Sequence, residues 1–184
     1  MTFDSIIAPL LSPYALIFLV SFLLGLAGPQ FRNRRKMMGM KFAGDFSAAI
    51  YLYLMGGISG ACAGMIAATG ALIQALTPAK YLKKTIWPRV ILAVILSFAS
   101  VYFSYKTLLD ILPISMVVIC RFGELQSRAQ HIRFVYWATC FPWMVYHYMN
   151  GFYLPLIACI FLCGSLLLSI IRHRNSPILA SVID

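Results

Sequence analysis

Asp45 lies inside a long apolar stretch, with Lys41 four residues before it. On a helix that spacing puts both side chains on one face. Two readings stand side by side. Either the pair neutralises itself, or Lys41 extends its stem toward water and leaves Asp45 as a proton- or cation-linked carboxylate facing the interior. Farther along, Trp143, His147 and Asn150 recur at spacings of four and three, again on one helical face, with Trp137 and Tyr146 close to the stripe. An indole supplies a stacking wall, and an imidazole and an amide supply hydrogen bonds, which together make a pocket for a small solute. The competing reading of the same stripe is an interfacial aromatic belt, with His147 and Asn150 reaching water at the membrane surface.

No other constellation carries chemistry. Zinc-protease, phosphate-loop and nucleophile-elbow motifs are absent. The three histidines, His131, His147 and His173, do not cluster, so neither a metal nor a cofactor is expected, and no enzyme activity. The five cysteines sit within apolar runs, and Cys159 with Cys163 is an i,i+4 pair; they read as small packing residues, not as a disulfide framework.

The elements that must position these residues follow from composition. The 184 residues are 61% hydrophobic and 11% charged, whereas soluble domains run near half apolar and about a quarter charged. The excess must face lipid. At roughly 20 residues per span the chain holds about seven transmembrane helices with short connections. The net charge of +10 comes without a nucleic-acid-binding signature, so nucleic acid is not an expected partner. A cleaved signal peptide is not expected either: the first apolar stretch lacks a basic leader and ends in a basic flank.

The spacing predicts helices over 6–26, 38–56, 58–76, 89–105, 111–122, 134–149 and 152–171. The fifth is short enough that its flanks must contribute residues, and six spans is the alternative if it is re-entrant. Of the fifteen lysines and arginines, fourteen fall on alternate connections, the tail and their flanking helix ends. Only Lys106 falls on the other side. That asymmetry places the N-terminus outside and the C-terminus in the cytoplasm.

An internal repeat organises the spans. Gly57 between the second and third helices matches Gly151 between the sixth and seventh, and at the same offset Gly70 matches Gly164. The expected fold is therefore all-α, a single integral membrane domain over 1–184 in a 3+1+3 parallel-repeat arrangement. A first three-helix unit spans 6–77, a linker helix 86–106 and a second unit 108–172. Gly60 and Gly64 in the third helix form a small-xxx-small pair, read as an intramolecular packing face, with a dimer interface as the other option.

The run RNRRK from Arg32 to Lys36, the LMGG turn from Leu54 to Gly57, the stretch LLDILPISMVVICRF from Leu108 to Phe122, Trp143 before Gly151, and Ile170-Ile171-Arg172 together resemble the YgjV-type bacterial inner-membrane protein family over roughly 25–174. The resemblance implies a multi-pass protein of the bacterial inner membrane. The layout is also similar to SWEET and PnuC-type carriers at the level of architecture. The family resemblance implies polar groups in the third and seventh helices, whereas 67–70 and Cys159 are not charged or amide-bearing here.

The expected function is small-solute transport by alternating access between the two three-helix units, with Asp45, Trp143, His147 and Asn150 lining the site. The alternative is a non-transporting sensor, assembly factor or subunit of a larger membrane complex. Expected partners are the lipid bilayer and a small solute of unspecified class, with a homo-oligomer or a membrane partner protein as further options.

Overall fold

Capping and turn residues cut the apolar chain into helices. In the computed structural model, which describes residues 14–78, 81, 84–124 and 129–173, seven α-helices form: α1 Ala15–Ala27, α2 Arg34–Leu54, α3 Ile58–Leu76, α4 Ile86–Ser104, α5 Ile111–Glu124, α6 Ala129–Met149 and α7 Tyr153–Arg172. Among the described residues there is no strand. The start of the first expected helix lies outside the described residues.

Asn33 starts α2, its side-chain oxygen accepting from the amides of Arg35 and Lys36 at 2.9 and 3.2 Å, which satisfies two orphan donors of the first turn. The cap begins α2 four residues before the expected Met38. Helix α6 likewise begins at Ala129 and not near Phe134. The polar residues Gln130, His131 and Arg133 read as loop by composition, yet Ile132 between them is fully buried and holds the first turns of α6 against the bundle.

Two tight turns join α2 to α3 and α6 to α7. Gly56 and Gly151 take left-handed φ values of 82° and 71°, which only glycine adopts without cost. Around them the hydrogen bonds repeat: Gly57 N–H donates to Leu52 O at 2.8 Å, and Phe152 N–H to His147 O at 2.9 Å. The next helix's cap residue has φ/ψ of −81°/67° at Gly57 and −83°/68° at Phe152. The turns thus pair Gly56 with Gly151, one residue from the expected pairing of Gly57 with Gly151, because the left-handed position is what the turn fixes.

Neighbouring helices close a ring: α1 packs on α2, α2 on α3, α3 on α5, α5 on α6, α6 on α7, and α7 back on α1. Helix α4 leans against α3 and α5. It turns Ala93, Ser97, Ser100 and Ser104 inward, and exposes Trp87, Ile91, Ile95, Phe98 and Tyr102. Small residues permit close helix approach where lipid gives no hydrophobic drive, and bulky apolar ones suit a lipid face.

Helices α3, α4 and α7 are long and apolar enough to cross a membrane. Within the described residues α5 covers Ile111–Glu124. A 3-10 turn at Leu108–Asp110 runs into its start.

The small-residue face of α3 packs within the chain. A Cβ on Gly60 would stand 3.0 Å from the Tyr146 hydroxyl, and one on Gly64 would stand 2.9 Å from Ala49 Cβ, with Ala49 Cα behind it at 3.3 Å. Gly70 is covered by the Arg121 side chain, with a guanidinium nitrogen 1.7 Å from where a Cβ would be. Gly39 has open space at the same test. Gly64→Ala is therefore expected to lower stability by about 1–3 kcal/mol through overpacking. Gly39→Ala is expected to raise it by up to about 1 kcal/mol through helix propensity. Thermal melts of both variants in mild detergent check this; equal midpoints for the two would remove the close-packing account of α3.

Candidate functional site

The ring of helices surrounds a cavity of about 260 Å³. All six ring helices line it and no α4 residue does. Most of the wall is apolar or aromatic, including Phe18, Tyr51, Tyr136 and Trp143. The charged groups on it are Lys41, Asp45 and Arg133. A volume just under the roughly 300–1,000 Å³ of drug-sized sites suits a small metabolite.

Of the four residues singled out in the sequence, the structure brings Asp45, Trp143 and His147 together on this wall. Asp45 accepts from Lys41 Nζ at 2.5 Å, and the same ammonium stands 4.8 Å above the Tyr136 ring. The ion pair of the self-neutralising reading is thus formed, and it faces the cavity. Trp143 and His147 stack with ring centres 5.4 Å apart. His147 is 7% exposed, and its Nδ1 has no hydrogen-bond partner. Asn150 sits elsewhere: its amide donates to Tyr146 O at 2.9 Å on an exposed helix end, outside the cavity lining.

Polar side chains beyond those four join the ring across the two ends of the cavity. At the end carrying the helix-flanking arginines, the turn after α1 is held by α6 and α7. Arg133, 3% exposed, donates through Nε to Pro29 O and through Nη2 to Phe31 O, both at 3.2 Å. Ser169 Oγ donates to Pro29 O at 2.7 Å, and Ser165 Oγ to Leu26 O at 3.0 Å. Gln30 Nε2 reaches Ser165 Oγ at 2.9 Å and Ser165 O at 3.1 Å. Ser165 and Ser169 are an i,i+4 polar pair in an otherwise apolar helix, a signal the sequence did carry.

At the opposite end, Tyr146, 1% exposed, meets Ser59 Oγ at 3.1 Å and accepts from Gly60 N–H at 3.2 Å. Ser59 Oγ donates to Asp110 Oδ1 at 2.5 Å. The second Asp110 oxygen accepts from the amides of Lys106 and Thr107 at 3.0 and 2.8 Å and from the Thr107 hydroxyl at 3.2 Å. Burial works against the Asp110 charge, but the Ser59 hydroxyl and the Thr107 and Lys106 donors outweigh it and hold its carboxyl below the ordinary value.

Apolar helices long enough to span a bilayer, arranged around a cavity with charges on its wall, define a helical membrane protein. The chain matches the Imp-YgjV family model, described as bacterial inner membrane protein, over residues 14–176. It belongs to that family. No curated protein and no solved structure matches it.

Proposed function

We propose that this protein is a seven-span carrier that moves a small solute by alternating access between two three-helix units, with the C-terminus in the cytoplasm. The observation that carries the reading is a solute-sized cavity bridged at both ends by hydrogen bonds between the units. Pro29 with Arg133 and Ser169 joins them at one end, and Ser59 with Tyr146 at the other. The matched glycine turns and the ring order support a parallel repeat, with α1, α2 and α3 corresponding to α5, α6 and α7. Carriers built from such repeats, including the SWEET type, hold substrate between the units and rock one against the other. Breaking one latch while the other holds opens the cavity to one side at a time. The loop charges support a cytoplasmic arginine-rich end.

Native mass spectrometry of the protein in mild detergent tests the reading. A bound small molecule is expected, lost in Trp143→Ala and kept in Asn150→Ala, since only Trp143 faces the cavity. A wild-type protein that is empty and bound to a second polypeptide would replace the carrier with a subunit of a membrane complex.

A further inference from the structure

The charge on the cavity wall does not balance. Its lysine, arginine and aspartate side chains are Lys41, Arg133 and Asp45, two cations against one carboxylate. Asp45 is taken up by Lys41. The acceptors that Arg133 engages are the neutral Pro29 and Phe31 carbonyls and the Gln130 side-chain oxygen, the last at 3.3 Å. Those oxygens satisfy its N–H geometry and leave its charge uncompensated among the described side chains. An unbalanced cation inside an apolar wall costs free energy that a bound anion returns, and the low dielectric strengthens the attraction.

The rest of the wall says what the anion looks like. Phe18, Tyr51, Tyr136 and Trp143 present aromatic surface, which favours a flat apolar body. Tyr136 lies at the charged end, beneath Lys41 and one turn from Arg133. Trp143 and His147 lie two and three turns farther along α6, toward the other end. His147, buried and stacked on Trp143, backs the wall there.

We propose that the cavity binds a small aromatic or heteroaromatic monocarboxylate, its carboxylate toward Lys41 and Arg133 and its ring along Trp143. The assignment deepens the carrier reading and rests on the same cavity. Lys41 exchanges part of its contact with Asp45 for the incoming carboxylate, so Asp45 acts as the internal competitor that limits affinity when the site is empty.

The test uses purified protein and three probes of one shape and different charge: benzoate, benzamide and benzylamine. Binding is read by tryptophan fluorescence, with Trp143→Phe locating the signal. Benzoate is expected to bind saturably and at least about tenfold more tightly than benzamide, with benzylamine weakest. Lys41→Gln should weaken benzoate by about tenfold, and Asp45→Asn should tighten it. A misfolded variant cannot produce that gain, so the opposite signs keep the assignment falsifiable. Equal binding of benzoate and benzamide, or preference for benzylamine, overturns it. Selective benzoate binding without uptake into proteoliposomes upholds the anion site and removes the carrier. Uptake of a neutral solute without benzoate binding does the reverse.

Discussion

Replacing Arg133 by alanine is expected to loosen the arginine-rich end of the cavity and to cost about 2–4 kcal/mol of stability, the lost hydrogen bonds being partly offset by removal of a buried charge. Two charge-assisted bonds to backbone carbonyls would be lost, each worth roughly 1.5–3 kcal/mol. Pro29 O would keep Ser169 as a donor, whereas Phe31 O would lose its Arg133 partner. For a chain of this size the melting midpoint should fall by on the order of 10 °C. Arg133→Lys should recover only part, because one ammonium cannot reproduce the fork that holds Pro29 and Phe31 together. A variant keeping Cys140 as its one cysteine gives a direct readout. Cys140 lines the cavity and is 3% exposed. Labelling by a membrane-impermeant maleimide from the side of the arginine-rich end should accelerate about tenfold in Arg133→Ala and stay unchanged from the other side. An unaltered melt and unaltered labelling would show that Arg133 does not latch this end.

How much of this arrangement was legible in the chain depends on the range of the interaction. Helix α3 was readable at both ends, because Gly57 and Thr77-Pro78 bound it and no charged residue interrupts it. The start of α6 was not, because Arg133 looks like a loop charge until Pro29 and Phe31, more than a hundred positions away, are seen to accept from it. Helical spacing is local information, and it brought Trp143 and His147 to one wall. The same spacing carried Asn150 one turn too far, onto the exposed end where it bonds its own helix. Asp45 was visible as a charge in an apolar run, but that its partner Lys41 also rests on Tyr136 is a contact between α2 and α6. Gln30 and Ser165 lie 135 residues apart, and no pattern along the sequence pairs them.

Asp110 gives the second large effect, at the opposite end. It accepts four hydrogen bonds, from Ser59, Lys106 and twice from Thr107, so it both caps the hinge before α5 and fixes Ser59 beside Tyr146. Asp110→Ala is expected to cost about 2–4 kcal/mol, combining a lost cap with a lost charge-assisted bond. The pH dependence has a definite sign. The folded-state carboxyl titrates below its ordinary 3.8, so the unfolded chain takes up the proton first as pH falls. The stabilisation is therefore complete above the ordinary value and is lost as pH falls from there through the lower folded-state value. Asp110→Asn carries no titrating group at this position. The difference in melting midpoint between wild type and Asp110→Asn should be largest at neutral pH and shrink below about pH 4. Taking the difference cancels the acids that both proteins share. Parallel curves from pH 7 down to 3 would mean that the Asp110 charge does not hold Ser59. The latch at this end would then rest on Tyr146 with Ser59 and Gly60 alone.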